Sequence, residues 1–149
     1  MDVDIVISAT GKQLRTLSRY LALPEYEFDL EAALEALKHQ SMFNVFDTIR
    51  GWKIDFICQK PSDFHREAFR RRKHADVEGV RVSIITAEDL VIAKLEWAKA
   101  GASLRQVEDV AGILKVRGSS LDRAYIEKWV RELGLDSQWE YARKEAGFD

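Results

Sequence analysis

The chain opens on a run in which two acids alternate with apolar residues, Asp2-Val3-Asp4-Ile5-Val6-Ile7. Its β-branched residues favour an extended strand, and residues two apart on a strand share a face. Asp2 and Asp4 are therefore predicted to project to one side, while Val3, Ile5 and Ile7 point the other way into a core. The strand is thus expected to have one acidic face and one buried face.

Two interpretations of this acid pair stay open on these residues alone. Neighbouring carboxylates repel each other and lose hydration when they are partly buried, and a divalent cation relieves both costs. Hard oxygen ligands of this kind suit Mg²⁺ or Mn²⁺. The same pattern also arises by chance at the polar start of a strand, where both acids simply face water.

Composition places the chain among globular proteins, because 149 residues with 46% hydrophobic and 32% charged content can form one domain with its own core. A formal net charge of -2 gives no overall attraction to nucleic acid, although a local basic patch can still provide one. The one cysteine, Cys58, rules out an internal disulfide and is predicted to be a small core residue. No apolar run could span a bilayer and no signal peptide precedes the acidic start, so we expect a cytoplasmic protein with no membrane partner.

Helical periodicity predicts two helices after the first strand. Leucines recur at helical spacing over about residues 12–22, and Pro24 ends that helix. A second helix is predicted over residues 30–39, with Asp29 as its N-cap.

Two more strands are predicted next. Met42–Asp47 and Trp52–Cys58 are rich in aromatic and β-branched residues, and the short link at residues 48–51 predicts a hairpin. Alternation places Asp55 on the same face as Lys53. An acid inside an apolar strand needs a partner, so Asp55 is either a functional acid or an edge acid paired with a lysine.

A third helix is predicted to begin near Pro61, with its body over Phe64–His74. Arg66, Arg70 and Lys73 fall on one side of that helix at i, i+4 and i+7. Such a basic stripe suits phosphate groups, and a solvated charged face is the alternative.

The back half is predicted to be helical after a hairpin that turns at Gly79. Thr86 and Asp89 form a capping-box-like start. In the helix beyond them Lys94 lies inside the apolar stripe, so it must either extend to solvent or meet an anionic partner. In the next helix Asp109 is spaced to pair with Arg105, and the predicted core face is Leu104, Val107, Ala111 and Leu114.

Three acids on strands of one predicted sheet, Asp2, Asp4 and Asp55, resemble the site of the nucleotidyltransferase superfamily, which carries D-x-D on one strand and a third acid on a neighbouring one. The resemblance extends to small bacterial nucleotidyltransferase-like proteins, including the AbiEii-type toxin family. Those proteins share a later run similar to residues 86–95 and an acidic helix similar to residues 105–110. The resemblance implies an α+β fold, with a mixed β-sheet and flanking helices in residues 1–100 and a helical extension, residues 101–149, packed on that core.

The resemblance also implies an activity, the transfer of a nucleoside monophosphate from a nucleoside triphosphate to an RNA or protein acceptor. Asp2, Asp4 and Asp55 would bind Mg²⁺ or Mn²⁺ for two-metal chemistry, and Lys94 would neutralise phosphate charge. In the toxin branch the acceptor is RNA, and a cognate antitoxin is an expected partner. The residues expected to contact nucleotide or RNA are the basic stripe and one acid: Arg66, Arg70, Lys73 and Asp109.

The sequence departs from the family at its start. The family's D-x-D strand follows a helix that begins with Gly-Ser or Gly-Gly and holds the triphosphate, whereas Asp2 is the second residue here. We expect from this either a longer natural chain or a protein that has lost the cradle and catalyses poorly. The competing function is therefore a catalytically inactive protein of the same fold that binds nucleotide, RNA or a protein partner. A metal-dependent nuclease is a third alternative.

Overall fold

The computed structural model describes residues 2–101 and 103–148, with Asp2 described for its backbone alone. The chain forms two compact units, one up to Arg66 and one from Glu67 onward. The predicted boundary between residues 100 and 101, where the helical extension would begin, lies within the second unit, and that division stays a prediction.

The first unit is built on a mixed four-stranded sheet in the order β1-β4-β3-β2. β1 runs parallel to β4, whereas β3 pairs antiparallel with both β4 and β2. The α+β class predicted from the sequence is confirmed. Its elements are β1 (Asp2–Ile7), α1 (Gly11–Tyr20), β2 (Tyr26–Phe28), α2 (Leu30–His39), β3 (Met42–Asp47) and β4 (Trp52–Cys58).

The core of this unit lies between the helices and one face of the sheet. Strand alternation sends Phe43 and Val45 to that face, and Phe43 stacks on Phe56 with ring centroids 5.1 Å apart. Cys58 is 1% exposed, as predicted for a small core residue, and burial raises the pKa of its thiol. The other face of the sheet carries polar residues of β1, β3 and β4 together with the exposed apolar side chains of Val6, Met42 and Phe46.

Local side-chain caps set the helix ends. Gln13 N–H donates to Thr10 Oγ1 (3.3 Å), and Thr10 N–H donates to Gln13 Oε1 (2.8 Å), so α1 begins one residue earlier than predicted. It also ends earlier, at Tyr20. Asp29 caps α2 as predicted, accepting from Ala32 N–H at 3.0 Å. The three-residue strand β2 was not predicted.

The predicted β3–β4 hairpin is confirmed, and Asp47 holds its turn. The Asp47 carboxylate accepts from the backbone N–H of Ile49 and Arg50 at 3.1 and 2.8 Å. Those backbone bonds, together with the Arg50 guanidinium, lower the pKa of Asp47. Gly51 completes the turn with a φ of +68°, which suits glycine.

The second unit consists of a hairpin and a group of helices. α3 (Asp63–Arg71) contains the boundary between the units and ends three residues before the predicted position. It stops there because Lys73 begins a strand, and Arg72 donates from Nη1 to the Phe69 carbonyl left open at the helix end. The remaining elements are β5 (Lys73–Val77), β6 (Val80–Ile84), α4 (Ala87–Gly101), α5 (Leu104–Arg117), a 3₁₀ turn (Gly118–Ser120), α6 (Arg123–Leu133) and α7 (Asp136–Ala146).

The core of the second unit forms where α4 packs against α5, α6 and α7. Leu104, predicted to face this core, is 62% exposed because it begins α5 at the outer end of the helix. None of the described helices is long and apolar enough to cross a membrane. The buried side chains of this core include Val91, Ile92, Leu95, Val107, Val110, Leu114, Ile126, Trp129 and Trp139.

Candidate functional site

The parallel pairing of β1 with β4 brings two predicted site residues side by side. Asp4 is the register partner of Asp55, and register partners on adjacent strands project to the same face of a sheet. Their backbones are therefore about 4.8 Å apart. The antiparallel pairing of β3 adds Asn44 at the same level on the other side of Asp55. A polar row thus crosses three strands: Asp4, Asp55 and Asn44.

Asp55 is buried, at 9% exposure, and its carboxylate has partners on both oxygens. Asn44 donates from Nδ2 to Oδ1, and Lys53 donates from Nζ to Oδ2 at 2.9 Å. Lys53 reaches it because residues two apart on β4 share a face. These contacts satisfy a buried charge that would otherwise be costly, and they fix the orientation of the carboxylate.

Asp4 differs from Asp55 in being exposed. Its carboxylate forms no hydrogen bond or ion pair with any residue that the structure describes. The Asp2 backbone pairs with Lys53, while the Asp2 side chain lies outside the described residues. Within the described part of the chain no three His, Cys, Asp or Glu side chains form a metal-binding group, so the predicted three-acid site stays a prediction.

The donor set of Asp4 and Asp55 nevertheless fits a divalent cation. Both groups are carboxylates, the hard oxygen donors that Mg²⁺ and Mn²⁺ prefer. Asp4 is available, whereas the Asp55 carboxylate is neutralised by Lys53. A bound cation would therefore compete with the Lys53 ammonium for Asp55.

A second pair of predicted residues meets inside the second unit. Lys94 donates from Nζ to Asp109 Oδ2 at 2.7 Å and to Gln106 Oε1 at 3.1 Å. Lys94 therefore has an anionic partner, which is one of the two outcomes expected from its place in an apolar stripe. Asp109, expected to pair with Arg105 within α5, instead joins α5 to α4.

The predicted basic stripe does not form on one helix. Arg66 and Arg70 lie on α3, but Lys73 is the first residue of β5. Arg66 is paired with Asp63 and Arg70 with Glu67, each three residues away. The two arginines are thus partly neutralised on their own helix.

Sequence reasoning missed the most buried charge of the second unit, Asp89, at 0% exposure. Its carboxylate accepts from Thr86 Oγ1 (2.6 Å), Arg71 Nε (3.1 Å) and the Tyr125 hydroxyl (2.6 Å). The Arg71 guanidinium also lies 3.9 Å from the centroid of the Tyr125 ring. The capping-box spacing predicted the contact with Thr86, but nothing in the sequence indicated that α3 and α6 would supply the other two donors.

Comparison of the sequence with protein-family models finds no match, and comparison with curated proteins finds no similar sequence. The nucleotidyltransferase resemblance therefore rests on the residues themselves.

Proposed function

We propose that this chain is a nucleotidyltransferase-like protein that transfers a nucleoside monophosphate from a nucleoside triphosphate to an acceptor hydroxyl, most simply on RNA. The single observation that supports this most is the register pairing of Asp4 with Asp55 on adjacent parallel strands. Two acids fixed at one level of a sheet, one exposed and one buried, are arranged to share a cation.

Asp55 and Asp4 have different roles in the proposed site. Asp55 is oriented by Asn44 and would present a fixed oxygen, since buried and hydrogen-bonded side chains hold their geometry well. Asp4 is exposed and would close on the cation from the strand edge. Mg²⁺ or Mn²⁺ held there would stabilise negative charge on the attacking and leaving oxygens.

The proposed transfer balances without a further reactant. The acceptor oxygen forms a bond to the α-phosphorus, the bond from that phosphorus to the bridging oxygen of the β-phosphate breaks, and pyrophosphate leaves. The acceptor proton passes to solvent. Phosphoryl transfer of this type depends on positioning and charge stabilisation more than on covalent chemistry by the protein.

The test is incorporation of labelled nucleotide into bacterial RNA, with each of the four triphosphates and with Mg²⁺ or Mn²⁺. Asp4→Asn and Asp55→Asn should each abolish incorporation, whereas Glu31→Gln, an exposed acid on α2, should leave it unchanged. Incorporation that survives both Asp variants would refute the proposed site.

A binding protein without catalysis is the second candidate, and one observation favours it. Lys53 already pairs with Asp55 at 2.9 Å, so the buried carboxylate has a counter-ion without a metal. In that case labelled nucleoside triphosphate should bind in equilibrium dialysis while no incorporation is detected. The catalytic role predicted for Lys94 stays a prediction, as do the nucleotide- or RNA-binding roles predicted for Arg66, Arg70, Lys73 and Asp109.

A further inference from the structure

The β5–β6 hairpin is a two-stranded sheet with an exposed apolar face. Its two strands pair only with each other within the described chain. Val77, Val80 and Ile84 are 53%, 62% and 44% exposed, all on one face of the hairpin. Because a two-stranded sheet alone is marginally stable in water, this hairpin would gain stability from another strand.

The turn determines which backbone groups face outward. Glu78 and Gly79 have φ of +52° and +79°, the pattern of a two-residue type I′ turn. Such a turn makes Val77 and Val80 a hydrogen-bonded pair, and these pairs alternate along an antiparallel ladder. His74 and Asp76 therefore direct their N–H and C=O groups away from β6. No backbone hydrogen bond joins this outer edge to another described residue.

We infer that the outer edge of β5 pairs antiparallel with β5 of a second copy of this chain, with Ala75 on the two-fold axis. In this register His74 lies opposite Asp76 of the partner subunit. Both residues of that pair have outward backbone groups, so each pair forms two hydrogen bonds. The result is a four-stranded sheet made of two hairpins.

Charge complementarity supports a second copy as the occupant. His74 and Asp76 of the partner subunit carry unlike charges when His74 is protonated, and the two-fold axis repeats this pair. Unlike pairs directly opposite on adjacent strands stabilise a sheet, and like pairs destabilise it. Lys73 falls opposite Val77 of the partner subunit, where its aliphatic stem can cover the valine.

The side-chain atoms needed for these contacts are available. Asp76 Oδ1 accepts from Gly79 N–H at 2.9 Å, which leaves Oδ2. His74 Nδ1 lies 3.3 Å from Ser83 Oγ, which leaves Nε2. Neither remaining atom has a partner among the residues that the structure describes.

The other edge of the hairpin is a weaker candidate for the same pairing. A two-fold register on β6 would be centred on Val82 and would set Arg81 opposite Ser83 of the partner subunit. That register has no unlike charge pair. The charge pattern therefore selects β5 over β6.

Disulfide cross-linking of the full chain tests the register. The two copies of residue 75 would form a non-hydrogen-bonded pair with Cα atoms about 4.5 Å apart, within the range that a disulfide spans. Ala75→Cys should give a dimer under mild oxidation, and Val82→Cys, the matched control on β6, should not. The native Cys58 is buried, which keeps the background low. A dimer through Val82→Cys alone, or none through either variant, overturns the proposal.

Charge reversal provides a second test that needs no cross-link. His74→Glu places like charges opposite each other twice per dimer, so sedimentation equilibrium should show a dimer about tenfold weaker. His74→Lys keeps the complementary sign and should dimerise at least as well as wild type. Equal dimerisation by the two variants, or a wild-type chain that stays monomeric at high concentration, contradicts the β5 interface.

Discussion

The carboxylate of Asp89 and the hydroxyl of Tyr125 are joined by a hydrogen bond of 2.6 Å. Asp89 lies in the first turn of α4 and Tyr125 in the first turn of α6. The carboxylate is fully buried, and the bond ties the starts of the two helices together beside Arg71. This contact gives the clearest stability predictions for the second unit.

Tyr125→Phe should lower the free energy of unfolding by about 2 kcal/mol, because it removes a hydrogen bond to a buried charged group. Urea unfolding followed by circular dichroism measures the loss. Tyr141→Phe is the matched control, since Tyr141 is 43% exposed and should change stability little. Equal effects of the two substitutions would show that the Asp89 contact contributes nothing.

The same tyrosine predicts a loss of stability in alkali. Burial, and next the hydrogen bond and charge of Asp89, raise the pKa of Tyr125 above its ordinary value of 10.0. Above pH 10 the unfolded chain loses the phenol proton while the native chain keeps it, so the unfolded state binds fewer protons and stability falls as pH rises. Urea unfolding from pH 8 to 11 should show that the difference in free energy of unfolding between the wild type and Tyr125→Phe becomes smaller above pH 10. A constant difference between the two proteins over that range would contradict the raised pKa.

Lys53→Gln should strengthen Mn²⁺ binding if Asp4 and Asp55 form the cation site. The substitution removes the ammonium that competes for Asp55, and a gain of roughly 1 kcal/mol corresponds to about fivefold in Kd. Isothermal titration with Mn²⁺ measures the change, with Lys38→Gln on α2 as the control for lost charge. Weaker or unchanged binding by Lys53→Gln would mean that lysine and cation do not share the carboxylate.

The contact between Lys94 and Asp109 should show a measurable but modest coupling energy, about 0.5–1 kcal/mol, because both side chains keep contact with water. A double-mutant cycle with Lys94→Met and Asp109→Asn isolates it. The exposed pair of Glu140 and Lys144, with side chains 67% exposed, is the comparison and should couple more weakly. A coupling energy near zero would contradict a stabilising contact between Lys94 and Asp109.

The sequence predicted the elements whose signals are local. The N-cap of Asp29, the hairpin between β3 and β4 and the turn at Gly79 each depend on residues within a few positions of one another, and all three are confirmed. The predicted end of α3 was wrong. Lys73 has helical spacing with Arg66 and Arg70, but it lies in β5 and pairs with β6. Tertiary pairing overrode a local pattern there.

Contacts across long separations were harder to predict. Alternation could place Asp4 and Asp55 on strand faces, but only the pairing of β1 with β4 decides that they are neighbours. Asp89 was recognised as a capping acid, yet its contacts with Arg71 and Tyr125 come from helices whose packing no short pattern encodes. The candidate site depends on this kind of long-range information, which is why its chemistry stays a proposal.

The position of β1 at the sheet edge also sets an order of events. Asp4 can meet Asp55 only after the chain closes a loop of about fifty residues, whereas β3 and β4 join through a short turn. Because closing a long loop is slow, β1 should join the sheet after β3 and β4 have paired. An edge strand also detaches from the native sheet at lower cost than a central one. Amide hydrogens of the first strand should therefore exchange faster than those of β4. Any ligand that bridges Asp4 and Asp55 should slow that exchange, because it binds only while the strand is docked.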